Sequence, residues 1–147
     1  MVKKRTGEPW MPAAAYGRSL TGLTVNLLVR DIALSLLFQR EVLDATTVYH
    51  DADIAVLRHG AAEWMLHADH TYGEHPLLAL TGDGMVRGAG AELRLHGRDP
   101  DAAAAAARRL GFTVLAPPAD KPHGLREAYI ADRDGYVWVP DLPTRPE

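Results

Sequence analysis

The feature that most constrains the fold is that the same order of predicted elements occurs twice in the chain. Each half is predicted to form one strand, one helix and then three strands, and the halves align at a shift of about 67 residues, with LDATTV over LGFTVL. Few residues are identical between the halves, so what repeats is the supersecondary structure. Because a chain of 147 residues with 47% hydrophobic residues can bury one core, we expect a single α+β domain built of tandem βαβββ modules.

The first half begins with LTVNLLV, whose threonine, valine and leucine content is typical of a strand (residues 23–29). Asp31 is the expected N-cap of a helix that runs to about Leu43, because Ile32 and Leu36 recur at helical spacing. Three more strands are expected at residues 46–50, 54–58 and 62–66.

The second half carries stronger helix signals. Asp99 is the expected N-cap, Pro100 occupies the first helical position and Gly111 ends the helix, with a strand before it at residues 92–96. After it we expect a strand, a long proline-rich loop, a strand, a DRDG turn and a last strand that Pro140 ends. Their ranges are residues 112–115, 116–124, 126–131, 132–135 and 136–139.

Residues 1–19 mix proline, glycine, charge and two aromatic residues without a period, so we expect an arm rather than an element. Trp10 and Tyr16 of this arm are candidates for docking on the domain. The domain itself is expected at residues 20–143. It divides into module one at about 20–67, a connector at about 68–88 and module two at about 89–143.

Composition excludes several classes of function. The absence of cysteine removes thiol nucleophiles, thiolate metal sites and disulfides, and it favours a cytoplasmic protein. The only serines, Ser19 and Ser35, do not lie on a nucleophile elbow, which argues against a serine hydrolase. With a net charge of -3, no basic stripe and no apolar run of membrane length, we expect neither nucleic acid nor a membrane as partner.

The tandem modules resemble the vicinal oxygen chelate superfamily of glyoxalases, extradiol dioxygenases, fosfomycin-modifying enzymes and bleomycin-resistance proteins. The segments that carry the resemblance are VRD before the first helix, VLDA after it, DRDGYVWV at the last hairpin, and the stretches AEWMLHADHTY and DKPHGLREAYI. The small bleomycin-resistance-like branch is the most similar. The resemblance covers residues 20–143 and implies a cupped eight-stranded sheet around one cavity, commonly completed by homodimerisation.

The metal enzymes of that superfamily carry a His or Glu on the first and last strands of each module. Carried over to this chain, the four positions are Thr24, Met65, Glu92 and Val139. A single carboxylate cannot hold a catalytic metal, so the sequence departs from the metal-enzyme pattern. A shift of two residues on the fourth strand would replace Met65 by Glu63 or His67, which still leaves the set incomplete.

Strand alternation then predicts which side chains line the cavity. With the four positions taken as inward, their neighbours two residues away point inward as well. The expected ligand-binding residues are Thr24, Asn26, Glu63, Met65, His67, Glu92, Arg94, His96 and Val139, with Leu28 and Val137 on the same faces. Trp64 and Trp138 fall on the opposite faces, where we expect them to pack in the core. An alternative is that Glu92 and Arg94 lie on an exposed sheet face, or that they pair with Glu63 as structural ions.

Two further clusters of polar side chains are candidate sites. HADHTYGEH brings three histidines close together in the chain (His67, His70 and His75), but their spacing is not one that a single helix or hairpin imposes on metal ligands. The resemblance places Lys121, His123 and Arg126 near the cavity mouth, where they could meet an anionic ligand. The alternative for Arg126 is a surface ion pair with Glu127.

Three functions remain open from the sequence. The first is a metal-free homodimer that binds a small molecule, of which an antibiotic is one candidate, and needs no cofactor. The second is a lyase or dioxygenase with a non-standard set of divalent-metal ligands drawn from Glu92, Glu63, His67 and His96, with His67 or His96 as general base. The third is a structural or regulatory dimer with a vestigial cavity.

Overall fold

The chain divides into two compact units. The computed structural model describes residues 6–8, 10–82 and 84–146, so residues 1–5 and Pro9 of the expected arm and Asp83 of the expected connector lie outside the described residues. Unit 1 comprises Met1–Leu36 and Ala45–Leu78, and unit 2 comprises Leu37–Asp44 and Ala79–Glu147. Among the described residues, every helix is too short or too polar to cross a bilayer.

Unit 1 contains a four-stranded sheet. The elements are α1 (Ala13–Ser19), β1 (Val25–Val29), the first half of α2 (Ile32–Glu41), β2 (Thr46–His50), β3 (Ile54–His59) and β4 (Ala62–Ala68). The strand order is β1-β4-β3-β2, in which β1 runs parallel to β4 and the other pairs are antiparallel.

Unit 2 contains a second sheet of the same kind. Its elements are β5 (Leu93–His96), α3 (Pro100–Leu110), β6 (Thr113–Asp120), β7 (Leu125–Ala131) and β8 (Val137–Pro143). The order β5-β8-β7-β6, with β5 parallel to β8, matches that of unit 1. The α+β class with tandem βαβββ modules is therefore confirmed, with the eight strands in two four-stranded sheets.

The helix ends follow the capping residues. The carboxylate of Asp31 accepts a hydrogen bond from the backbone N–H of Leu34 at 2.8 Å. Asp99 caps α3 by accepting from the backbone N–H groups of Asp101 and Ala102, and Gly111 ends it with φ at 82°. Each contact satisfies a backbone group that a helix end leaves open, and the left-handed φ suits glycine. The predicted caps are confirmed.

Each sheet buries one face in a hydrophobic core. In unit 1, Leu57, Trp64 and Leu66 are at most 5% exposed. In unit 2, the alanine-rich α3 packs on β6, β7 and β8, where Trp138 is 3% exposed. Residues 37–44 belong to this second core, since the ring of Phe38 lies edge-on to that of Phe112 with centroids 5.0 Å apart. Both tryptophans lie in the core as expected.

Two predictions about proline are wrong. The expected proline-rich loop is instead the second half of β6, which continues to Asp120 with register shifts on either side of Ala116. Pro117 and Pro118 are tolerated because β6 is an edge strand, where a missing N–H costs little. Pro140 does not end β8, which runs to Pro143, since proline's φ is compatible with an extended chain.

The described part of the N-terminal arm contains more regular structure than expected. An alanine run gives α1, a helix of seven residues, in place of irregular chain. Trp10 stacks on Tyr49 of β2 with ring centroids 5.4 Å apart, and the hydroxyl of Tyr16 donates to Glu63 of β4 at 3.1 Å. The arm is therefore docked on the sheet of unit 1.

The last hairpin is held by Asp132. One oxygen of its carboxylate accepts from the backbone N–H groups of Asp134 and Tyr136, and the other accepts from the indole N–H of Trp138. Gly135 has a φ of 90°, which a tight turn requires and glycine adopts without strain. Residues of the connector pair with this turn, because the backbone N–H of Gly88 donates to the carbonyl of Gly135 at 3.2 Å.

A methyl group at Gly88 should separate the connector from the hairpin. A Cβ atom there would lie 2.6 Å from the Cα of Tyr136 and 2.9 Å from the carbonyl oxygen of Gly135, and backbone cannot yield as a flexible side chain can. We expect Gly88→Ala to lower the free energy of unfolding by about 2 kcal/mol in urea titrations. The control is Gly82→Ala, where no atom lies within 4 Å of the added Cβ. Equal stability of the two variants would contradict the close contact.

Asp132 should make stability depend on pH. Burial raises the pKa of Asp132 to about 6, although hydrogen bonds from Trp138 and from the backbone of Tyr136 favour the ionised form. An unfolded aspartate titrates near about 3.9, so between these values the folded state holds more protons and stability falls as pH rises. The control is Asp132→Asn, whose amide does not titrate. Between pH ~4 and ~7, the free energy of unfolding of the wild type should fall by on the order of 2 kcal/mol more than that of this variant, as urea titrations measure. Parallel curves for the two proteins would contradict a raised pKa.

Candidate functional site

The predicted side chains of unit 1 share one face of its sheet. Met65 is the register partner of Asn26, His67 is the partner of Leu28, and Glu63 is the partner of Arg58. Since alternate residues of a strand point to the same side, Glu63, Met65 and His67 line one face together with Asn26. Thr24 precedes β1 and is half-buried.

The buried polar centre of this face is His67, which is 3% exposed. Its Nδ1 lies 2.6 Å from the Oδ1 of Asn26, and its ring centroid lies 5.4 Å from that of Tyr72. The amide of Asn26 in turn donates to the hydroxyl of Tyr72 at 3.4 Å. These contacts fix the imidazole in a hydrogen-bonded network, as a buried polar group requires.

A second polar group on this face joins the N-terminal arm to β4. The carboxylate of Glu63 accepts from Arg58 at 2.8 Å and from the hydroxyl of Tyr16 at 3.1 Å. Burial and the hydrogen bond to Glu63 raise the pKa of Tyr16 to about 12, so this phenol stays protonated and donates. The arm therefore occupies part of the face that the sequence predicts for a ligand.

The histidine-rich stretch does not converge on one point. His67 bonds to Asn26, His70 lies 2.7 Å from the buried carboxylate of Asp53, and the ring of His75 lies edge-on to Tyr72. In the described part of the chain, no three His, Asp or Glu side chains are grouped as a metal ion would require. Each of these histidines has a partner of its own.

The predicted side chains of unit 2 also share one face. Val139 is the register partner of Arg94, and Asp141 is the partner of both His96 on β5 and Glu127 on β7. The guanidinium of Arg94 lies at the centre of this face. It donates to the carboxylate of Glu92 at 3.0 Å and also to the carboxylate of Glu127. A third carboxylate oxygen, from Asp141, lies 3.7 Å away.

Two carboxylates of this cluster are almost fully buried. Glu127 is 3% exposed and Asp141 is 1% exposed. Burial acts to raise the pKa of Glu127, but the hydrogen bonds from Arg94 and His123 outweigh it and hold the pKa below its usual value. Hydrogen bonds from Tyr129 and Arg94 lower the pKa of Glu92 in the same way. Arg94 therefore faces ionised carboxylates on two sides.

Two histidines lie at the edge of the cluster. The Nδ1 of His96 lies 2.8 Å from one oxygen of Asp141, and the Nε2 of His123 lies 3.2 Å from Glu127. Both imidazoles keep about half or more of their side-chain surface exposed. We call the set Glu92, Arg94, His96, His123, Glu127 and Asp141 the charged cluster of unit 2.

The expected grouping of Lys121, His123 and Arg126 is not found. Lys121 and His123 lie in the turn before β7, whereas Arg126 lies on β7 next to Glu127, with its side chain on the other face of the sheet. There it pairs with Asp101 of α3 at 2.7 Å and with Asp120 at 3.1 Å, not with Glu127. The alternative of an ion pair between Arg126 and Glu127 is therefore wrong as well.

The donor set does not fit the divalent metal of the superfamily. Of the four carried-over positions, Thr24, Met65 and Val139 offer no strong ligand, and the carboxylate of Glu92 is already bonded to Arg94. A guanidinium beside the one carboxylate opposes a cation at that point.

Sequence reasoning missed Glu127 and Asp141, and it named Tyr16 only as a residue that could dock on the domain. Alternation from Val139 would have included Asp141, but the last strand was expected to end at Pro140. Glu127 was considered only as a surface partner of Arg126. Tyr16 had no periodic signal, because it lies in the arm. Asp141 was thus missed through one wrong strand boundary, Glu127 through a wrong partner for Arg126, and the contact of Tyr16 with Glu63 through an unrecognised helix.

Removing Arg94 should leave the two buried carboxylates of unit 2 uncompensated. We expect Arg94→Met to lower the free energy of unfolding at pH 7 by about 2–4 kcal/mol, somewhat less than for a fully buried pair because this side chain is 28% exposed. Because Arg94 holds the pKa of Glu127 low, the pairing of these two side chains stabilises the fold at neutral pH. This stabilisation should be lost as pH falls below about 4. Urea titrations of the wild type and the variant at pH 7 and below pH ~4 measure this difference in unfolding free energy.

The matched control is Arg126→Met. Arg126 also bonds to two carboxylates, but those of Asp101 and Asp120 are exposed, so the solvated ion pairs should contribute little. Equal losses in the two variants, or a loss at Arg94 that does not change with pH, would contradict the compensation of buried charge.

Comparison with known proteins agrees with the observed architecture. No protein-family model matches the sequence, and no curated protein matches it significantly. Among solved structures, a glyoxalase-related enzyme from Fulvimarina pelagi is 18% identical with a TM-score of 0.64, covering 83% of this chain and 87% of the other. TioX from Micromonospora sp. ML1 is 18% identical with a TM-score of 0.60, covering 86% and 99%.

A glyoxalase/bleomycin resistance protein/dioxygenase from Nocardioides is 18% identical with a TM-score of 0.54, covering 91% of this chain and 94% of the other. At this level of identity the likeness concerns the fold and not the activity. The chain therefore has the fold of the glyoxalase, bleomycin-resistance and dioxygenase proteins that its sequence resembles.

Proposed function

We propose that this protein binds a small cationic molecule without a catalytic metal, as a cytoplasmic homodimer. The observation that supports it is the charged cluster of unit 2. Its three carboxylates, from Glu92, Glu127 and Asp141, surround the single guanidinium of Arg94. With both imidazoles neutral, the cluster carries a net charge of two negative units, which favours a cation.

Packing alone does not account for this cluster. Burying carboxylates costs several kcal/mol each unless they are paired, and apolar residues of similar size often stabilise a fold as well or better. Glu127 and Asp141 are nearly fully buried next to each other, and one guanidinium compensates only one of them. A polar, partly exposed face with fixed hydrogen-bonding groups is what a small-molecule site requires.

Binding needs no metal ligand, which agrees with the residues at the carried-over positions. The lyase and dioxygenase alternatives need three or four donors, and the chain supplies Glu92 alone at those positions. The homodimer rests on the resemblance and stays a prediction. An antibiotic with an amine or amidine group is one example of the proposed ligand class.

Three probes of the same shape and different charge test the proposal. Benzamidine is a cation, benzamide is its neutral counterpart and benzoate is an anion. We expect benzamidine to bind most tightly, and NMR titration should shift the signals of Arg94, His96 and His123 first. Glu92→Gln removes one exposed charge and should weaken benzamidine binding by about fivefold, as the loss of a rim charge does.

The matched control is Glu41→Gln. Glu41 is half exposed and pairs with Arg109 of α3, so this variant makes the same change in net charge away from the cluster. It should leave binding unchanged. Equal affinity for the three probes, or an equal effect of the two variants, would contradict a cation site. Stoichiometric manganese, iron, nickel, cobalt or zinc that a Glu92→Ala variant loses would contradict a metal-free site.

A further inference from the structure

His96 and Asp141 form a pair in which a buried carboxylate holds an exposed imidazole. The Nδ1 of His96 lies 2.8 Å from the Oδ1 of Asp141. The imidazole side chain is 70% exposed, whereas that of Asp141 is 1% exposed. The pair joins β5 to β8, since the two residues are register partners in the sheet.

The hydrogen bond determines which nitrogen of His96 faces solvent. A carboxylate oxygen only accepts, so Nδ1 donates and carries the ring proton. The lone pair of the neutral imidazole is then on Nε2, the nitrogen that Asp141 does not hold. This is the arrangement in which a carboxylate orients a histidine for nucleophilic or general-base chemistry.

This imidazole shares its sheet face with four other ionisable groups. Charged groups that share its sheet face are Arg94 on β5, Glu92 before it and Glu127 on β7, with His123 in the turn before β7. In the part of the chain that is described, the Oδ2 of Asp141 is buried and accepts no hydrogen bond, and Arg94 lies 3.7 Å away. Negative charge beside a reacting imidazole stabilises the positive charge that develops on the ring in the transition state.

We propose that His96 is a nucleophile for activated acyl compounds, with Asp141 as its positioning residue. The Nε2 of His96 attacks the acyl carbon of an ester, the bond to the leaving oxygen breaks, and the alcoholate departs with the electron pair. The acyl-imidazolium keeps its Nδ1 proton on the hydrogen bond to Asp141. Water then adds, the C–N bond breaks, and the carboxylic acid leaves with regeneration of the imidazole and loss of a proton to solvent.

The first experiment uses p-nitrophenyl acetate on the full chain. Acetylation is stopped at short times, and peptide mass spectrometry compares the seven histidines of the chain. The chain has no cysteine, so no thiol competes for the acyl group. His50 is the internal reference, because it is exposed on β2 and has no carboxylate partner among the described residues. We expect His96 to be acetylated faster than His50.

The role of Asp141 is tested by Asp141→Asn. The amide oxygen still accepts the Nδ1 proton, but the negative charge is gone. The rate at His96 should fall by about tenfold, the factor that corresponds to about 1.4 kcal/mol of lost charge assistance. The rate at His50 should not change, which separates a local effect from unfolding. Should the variant not fold, ¹⁵N NMR of the wild type still shows whether Nδ1 of His96 carries the proton.

Three results would overturn the proposal. They are acetylation of His96 no faster than that of His50, a proton on Nε2 in the neutral ring, and an Asp141→Asn variant that folds and reacts at the wild-type rate. Each result contradicts the role of His96 as a nucleophile that Asp141 positions, whether or not the proposed binding function holds.

Preference for a cationic substrate rests on the proposed function and is tested by a separate experiment. p-Nitrophenyl 4-guanidinobenzoate should acylate His96 faster than the uncharged p-nitrophenyl benzoate, since the cluster is net negative. Equal rates with the two esters would contradict cation selection and leave the nucleophile supported by the acetate result.

Discussion

The interaction on which unit 2 depends most is the one between Arg94 and the two buried carboxylates, Glu127 and Asp141. These three side chains come from β5, β7 and β8, so the charges connect strands that are distant in the chain. Because each carboxylate is nearly fully buried, the cost of removing it from water must be met by the guanidinium and the imidazoles beside it. The same charges that hold the strands in register also define the chemistry of the face.

The two modules use equivalent positions for different purposes. Met65 on β4 and Val139 on β8 each lie opposite a polar residue of the first strand of their unit, Asn26 and Arg94. Two residues further along, β4 carries His67 and β8 carries Asp141. In unit 1 the histidine is buried and bonded to a neutral amide, whereas in unit 2 the acid is buried and the histidine exposed. One module thus pairs its buried histidine with an amide, and the other pairs its buried acid with an exposed histidine.

Much of the fold could be predicted from the sequence because its signals are local. Asp99, Pro100 and Gly111 define α3 by capping chemistry alone. Strand alternation put Asn26 on one face with Met65, and Arg94 on one face with Val139, as the strand register shows. Prediction failed where tertiary context overrides local preference. Pro117 and Pro140 lie within strands because of the edge position of β6 and the pairing of β8 with β5. The partners of Arg126 also required knowledge of where α3 packs.

The division of the chain into units has a consequence for how the modules could be separated. Residues 37–44, which contain the second half of α2, belong to unit 2, and Arg98 donates to the carbonyl of Val42 within that unit at 2.9 Å. The polypeptide therefore passes from one unit to the other three times, and a cut in the connector would leave the second sheet without part of its own core. Gene fission at that connector would give two fragments that must reassociate to restore the Phe38–Phe112 contact. Although the two modules repeat one pattern, they are not interchangeable building blocks.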